Sequence, residues 1–165
     1  MAENNVDYFL KIDGIDGECR KPGFVGCMEM FNWSFSEHQD GSASSPGASA
    51  QGRVSMSDFS FSKIVDSATP RLLQNLFKGT QIGRATLTAR RTGARDGKPQ
   101  PYLVWEFKDL IISSHSFNGN SGGGTPTESI SFCFAEVKCY YKQLIKGVLQ
   151  GAITGGWNLK TNRVA

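Results

Sequence analysis

The chain has 165 residues, a formal net charge of +3, 39% hydrophobic residues and 20% charged residues. That balance suffices for a packed core in one domain over residues 1–165 and excludes a wholly disordered chain. No apolar run approaches the roughly 18 residues of a membrane helix, so we expect no membrane insertion. Nineteen glycines and eleven phenylalanines favour a β-rich fold.

The first strands are predicted from alternating apolar and polar residues, over residues 8–13 and 24–37. In the second segment the two alternating sets must point to opposite faces of a pleated strand. We expect the aromatic set in the core and the small polar set outside. The aromatic residues are Phe31, Trp33 and Phe35, and the small polar residues are Asn32, Ser34 and Ser36.

Residues 39–52 are rich in Gly, Ser and Ala and predict a long flexible loop. A loop of this length usually has a function, although an idle surface loop is the other interpretation. The alternation then slips at residues 57–58, because Met56 and Phe59 are out of phase. This slip predicts a β-bulge or a strand corner.

One short α-helix is predicted at about residues 69–78. Thr69 is the expected N-cap, and Gly79 is the expected C-terminal stop. A four-residue apolar face should pack on a sheet, because so short a helix is not stable alone. That face consists of Leu72, Leu73, Leu76 and Phe77.

The second half predicts a hairpin from residues 84–90 and 102–112, a flexible loop at 118–127 and one long strand at 128–141. Cys133, Val137 and Cys139 share one face of that long strand. Residues 157–160 predict a last strand. The fold is therefore predicted to be mainly β, an antiparallel β-barrel or two-sheet sandwich with one short helix.

Charge is unevenly distributed along the chain. Residues 1–82 carry seven Lys/Arg and ten Asp/Glu, whereas residues 83–165 carry eleven and five. The densest basic group fits a solvated strand and turn, a face complementary to an acidic surface on another subunit, or a nucleic-acid site. No aromatic stacking pattern lies among these cations, so we expect no nucleic-acid partner. The group consists of Arg84, Arg90, Arg91, Arg95 and Lys98.

The residue types that carry chemistry are sparse. The spacings of Cys19, Cys27, Cys133 and Cys139 match no zinc motif, so we expect buried, reduced thiols and no metal, with a disulfide as the weaker alternative. The two histidines lie beside serines with no triad spacing. We therefore expect no cofactor and no enzymatic activity, and a hydrolase using His115 or Cys133 is a distant alternative.

Several segments in order resemble the Hcp family, the haemolysin-coregulated tube proteins of type VI secretion systems. Together they span residues 7 to about 158. The turn at 19–23 and the segment 142–156 depart from the family pattern. The matching segments are 7–18, 59–63, 66–70, 107–114, 128–132 and 156–157.

The resemblance implies a two-sheet β-barrel with a helix against it, closing into homohexameric rings. The rings would stack into a tube that carries small effectors in its lumen. A contractile sheath would eject this tube, with a VgrG spike at its tip. No signal peptide or C-terminal toxin domain is expected, so the protein would be cytoplasmic until the type VI apparatus secretes it from the bacterium.

Three sets of site residues follow from combining the resemblance with the residue patterns. For the lumen we expect Asn32, Ser34 and Ser36. For an inter-subunit loop we expect Gln39, Asp40, Gly41, Ser42 and Gln51. For charged contacts between stacked rings we expect Arg84, Arg90, Arg91 and Arg95. The alternative function is a monomeric β-barrel that binds a small ligand in its interior.

Overall fold

A computed structural model describes residues 6–41, 52–91 and 98–165. These residues form twelve β-strands and the α-helix α1, Thr69–Lys78. The strands are β1 Val6–Ile12, β2 Met28–Met30, β3 Asn32–Ser34, β4 Glu37–Gln39, β5 Val54–Met56, β6 Phe59–Ile64, β7 Ile82–Arg91, β8 Gln100–Asn118, β9 Thr127–Cys133, β10 Glu136–Ile145, β11 Val148–Asn158 and β12 Arg163–Val164.

Two antiparallel sheets share the long strand β8. The first has the order β12-β11-β10-β8-β7-β1-β2, and the second continues from β8 through β9 and β6 to β3. The Phe31 N–H donates to the Ser62 carbonyl at 2.9 Å, where the chain crosses between the sheets. The predicted mainly β fold with antiparallel sheets and one helix is confirmed, and the described strands do not form a closed barrel.

Aromatic rings fill the space between the sheets. Phe59 is fully buried, and its ring centroid lies 4.8 Å from Phe107, 5.0 Å from Phe132 and 6.0 Å from Trp33. The predicted burial of Phe31 is wrong, because that residue lies between β2 and β3 at the crossing, with 55% of its surface exposed. Trp33 and Phe35 are partly buried and pack on the core.

Helix α1 spans the predicted residues, but its N-cap and its buried face differ from the prediction. Gly79 adopts the left-handed conformation (φ 60°) and ends the helix, as predicted. The predicted N-cap is wrong: Ala68 occupies that position, and the Thr69 hydroxyl donates to Glu128 instead. Leu72 is buried, but Phe77 is 79% exposed, because the helix contacts the sheet over a narrower face than the sequence pattern suggested.

The predicted long strand over 128–141 is two strands, and a corner at residues 134–135 moves the chain from one sheet to the other. The corner shifts the alternation, so Phe132, Phe134 and Val137 are buried together. The expectation that all four cysteines are buried is therefore wrong for Cys133, which is exposed. Cys139 is partly buried, and all four cysteines are free thiols.

The other connections agree with the predictions more closely. The corner at residues 57–58 separates β5 from β6, which belong to different sheets, and β7 pairs with β8 as expected of a hairpin. The loop between β8 and β9 spans residues 119–126. Residues 142–156 form a further hairpin that the sequence analysis missed, with positive φ at Lys146 and Gly147.

Candidate functional site

A continuous patch of small uncharged residues covers the outer face of the second sheet. Each strand presents two of these residues, and the register places them side by side across four strands. We call this patch the serine face. It consists of Asn32 and Ser34 on β3, Ser60 and Ser62 on β6, Ser129 and Ser131 on β9, and Ser114 and Ser116 on β8.

Hydrogen bonds between neighbouring strands order the serine face. The Oγ atoms of Ser60 and Ser131 lie 2.7 Å apart, and those of Ser62 and Ser129 lie 2.9 Å apart. The opposite face of the same strands is the aromatic core. The surface is therefore a wettable, uncharged patch on a rigid support, which suits weak contact with many surfaces better than tight binding of one ligand.

Two of the three predicted lumen residues, Asn32 and Ser34, belong to the serine face. Ser36 lies beyond the end of β3, where its N–H donates to Ser57 Oγ and its carbonyl accepts from the Ser57 N–H, both at 2.8 Å. Ser36 therefore fixes the corner that leads to β4. The six residues of β6, β8 and β9 were not predicted, although the alternation of serine with Phe and Ile on β6 and β9 was a signal.

The predicted inter-subunit loop begins on a two-stranded ribbon, in which β4 pairs with β5. Gln39 is the last residue of β4, so the loop starts later than predicted. Asp40 and Gly41 follow it and are exposed. The expected residues Ser42 and Gln51 lie outside the described residues.

The four predicted ring-stacking arginines differ from one another in their surroundings. Arg90 Nη2 donates to Asp7 Oδ2 at 2.7 Å, and its guanidinium lies over the Phe9 ring at 4.9 Å. Arg91 lies over the Tyr102 ring at 4.5 Å. Arg84 is exposed, and Arg95 lies outside the described residues. Arg90 and Arg91 are thus engaged within their own chain.

A buried ionic cluster lies where β6 and β9 meet the start of helix α1. Lys63 Nζ lies 2.5 Å from Glu128 Oε1 and 2.5 Å from Asp66 Oδ1. The same Glu128 oxygen accepts from Thr69 Oγ1 at 2.7 Å, and its other oxygen lies 2.5 Å from His115 Nε2. Burial acts to raise the pKa of Glu128, but the hydrogen bonds from Lys63, Thr69 and His115 outweigh it and hold the pKa below its ordinary value.

The geometry of the ionic cluster indicates a structural role. The side chains of His115 and Glu128 are fully buried, so no substrate reaches them in this conformation. Cys133 is exposed and pairs in register with Ile111, whereas the imidazole points into the core. His115 and Cys133, either of which the alternative hydrolase would use, therefore lie on opposite faces and form no dyad with each other.

Two further features of the described residues bear on chemistry and location. In the described ranges, no group of three or more His, Cys, Asp or Glu residues could hold a metal ion. No helix in the same ranges is long and apolar enough to cross a membrane.

Comparison with known proteins places these features in a family. Residues 9–141 match the family described as "Type VI secretion system effector, Hcp". Protein hcp1 of Pseudomonas aeruginosa is 31% identical over 159 residues, which cover 95% of this chain and 97% of that protein. The chain belongs to the Hcp family of type VI secretion proteins.

Solved Hcp structures share the fold over nearly the whole chain. The crystal structure of Hcp1 from Salmonella typhimurium has a TM-score of 0.79 at 31% identity and covers 97% of this chain and 99% of its own. The structure of a type six secretion system protein has a TM-score of 0.87 at 25% identity and covers 98% of this chain and 100% of its own. The sheet that carries the serine face therefore belongs to the Hcp fold.

Proposed function

We propose that this Hcp-family chain is a structural component of a type VI secretion system. Six copies form a ring, and stacked rings form the inner tube that the contractile sheath ejects behind a VgrG spike. The protein remains in the cytoplasm during assembly and is then secreted. Residues 1–165 act as one tube domain without catalytic activity.

We assign the serine face to the ring lumen, where small effector proteins are carried. The support is its chemistry: the face is broad, uncharged and wettable, and strands that expose small side chains leave a passage wide. The aromatic side chains that alternate with these residues on β6 and β9 are Phe59, Phe61 and Phe132, which are buried on the other face and do not narrow the passage. This continuous face is the observation that carries the lumen assignment.

The alternative of a monomeric barrel with a ligand inside finds less support. Such a protein needs an apolar cavity between its sheets. Here Phe59, Phe107 and Phe132 contact one another across that space.

The lumen assignment predicts a selective loss of cargo in the variant Ser34→Gln. The longer side chain protrudes from the serine face on its outermost strand, β3, so we expect rings to form while the amount of small protein bound per ring falls several-fold. Native mass spectrometry of rings purified from a bacterium with an active type VI system measures both quantities. Ser121→Gln, in the exposed loop between β8 and β9, is the matched control. Unchanged cargo in Ser34→Gln rings would reject the lumen assignment and leave ring formation standing.

A further inference from the structure

The hairpin of β10 and β11 extends beyond the sheet that supports it. Strand β8 pairs with β10 as far as Tyr141↔Leu103, and residues 142–152 pair only with each other. Strand β12 pairs with β11 at Trp157 and Asn158, close to the body. Residues 142–152, which we call the arm, are therefore a two-stranded ribbon whose backbone edges have no partner within the described residues. The arm reaches about 13 Å past Tyr141, since four residues of strand rise about 3.3 Å each.

The arm exposes apolar side chains that a two-stranded ribbon cannot bury. Ile145 and Val148 are cross-strand partners at the tip, and they are 45% and 52% exposed. A two-stranded hairpin alone is marginally stable in water and needs a third strand or a packing surface. Unpaired edges with exposed apolar residues are also the features through which strands associate with another chain. The arm therefore has the properties of a surface that a partner covers.

The charge of the arm limits what that partner can be. Lys142 and Lys146 are exposed, and no Asp or Glu occurs from residue 137 to residue 165. Two arms brought together would place like charges opposite each other, which is unfavourable. The charge of the arm therefore favours a contact with an acidic surface of the partner, and not with the partner's own arm if the partner is a second copy of this chain.

The β4–β5 ribbon offers an acidic surface of this kind. Glu37 begins its first strand and Asp40 directly follows that strand; both are exposed and form no ion pair within the described residues. Strand β4 is only three residues long, Glu37–Gln39, and pairs with β5 on one side. A second copy of this chain thus carries the acidic charge that the arm lacks.

We propose that the arm of one copy packs along β4 of a neighbouring copy, with Lys142 and Lys146 facing Glu37 and Asp40. The apolar tip at Ile145 and Val148 becomes covered in the assembly. The proposal rests on the proposed function, because it identifies a contact through which copies associate.

Charge exchange between two variant chains tests the contact. The first variant is Lys142→Glu/Lys146→Glu, and the second is Glu37→Lys/Asp40→Lys. In each variant alone, arm and ribbon carry the same sign of charge, so we expect self-association to weaken about tenfold or more at low salt. In an equimolar mixture each arm finds an opposite charge on the other chain, so we expect assembly to return. Rescue in trans cannot arise from a contact between arm and ribbon within one chain.

Mass photometry across a concentration series gives the readout, and thermal melting checks that each variant is folded. The control Arg20→Glu/Lys78→Glu changes the net charge as much as the first variant, at exposed sites away from the arm. Assembly of the arm variant equal to that of the wild type, an equal loss in the control, or failure of the mixture to assemble would each overturn the proposal. A wild-type chain that stays monomeric would overturn the proposed function itself. The mass of the wild-type particle is therefore measured before any variant is compared.

Discussion

Replacing Glu128 with Gln should destabilise the fold strongly, although the change removes only one charge. Glu128 is 1% exposed and lies 2.5 Å from Lys63, whose side chain is also 1% exposed. Removing one partner of a buried ion pair typically costs about 3–5 kcal/mol, because the other charge stays buried without compensation. Lys63 keeps Asp66 at 2.5 Å, so we expect the lower end, about 3 kcal/mol.

Urea unfolding of the wild type and four variants at one protein concentration measures this cost and its origin. Lys63→Met should also lose about 3–5 kcal/mol, because it leaves the Glu128 carboxylate without its cation. The double variant Lys63→Met/Glu128→Gln leaves neither charge of the pair and should lose at least about 2 kcal/mol less than the sum of the single losses. The control Lys160→Met breaks an exposed pair with Asp109, at 2.7 Å, and should lose no more than about 1 kcal/mol.

The pH dependence gives a second test of the same reasoning. The pKa of Glu128 is lower in the folded protein than its ordinary value, so its contribution to stability is present above the unfolded pKa. The contribution is lost as the pH falls through the folded pKa. The stability difference between the wild type and Glu128→Gln should therefore shrink as the pH falls from 5 toward 3. Additive losses in the double variant, or a difference independent of pH, would refute the account of the ionic cluster.

Two further stability predictions concern the core and the helix end. Phe59→Ala should lose about 3–5 kcal/mol of unfolding free energy, because Phe59 is fully buried among other rings. Phe77→Ala should change the unfolding free energy by less than about 0.5 kcal/mol, because Phe77 is exposed. Equal losses of the two variants in urea unfolding would contradict the burial pattern. Gly79→Ala should lose about 1–2 kcal/mol, because alanine is strained at φ 60°, whereas Gly124→Ala, with nothing within 4 Å of the added Cβ, should change stability little. Matching melting curves for these two variants would contradict the assigned left-handed helix end.

Local patterns predicted the parts of the fold that depend on neighbouring residues. The alternation from residue 84 to 90 and the residues around the following turn were enough to predict the β7–β8 hairpin, and Gly79 was enough to end the helix. Two of the errors occur where the chain changes sheets. Phe31 is exposed and Cys133 faces outward because crossings between sheets change which residues face the core, and alternation alone does not show where the crossings lie.

The candidate site depends on strand order, which explains why the sequence revealed only part of it. Ser34 and Ser131 belong to one face because β6 lies between their strands, a pairing between distant segments that no short pattern indicates. The ionic cluster did leave a signal: Lys63 and Glu128 occupy core positions in the alternation of β6 and β9. A charge at such a position in each of two predicted strands suggests that the two charges pair in the core.

Formation of a six-membered ring is the central claim, and the native mass of the wild-type chain with negative-stain images tests it most directly. We predict a particle of six times the 18.0 kDa chain mass with six-fold symmetry and an open centre. A single 18.0 kDa species at micromolar concentration, with no rings in the images, would contradict the account.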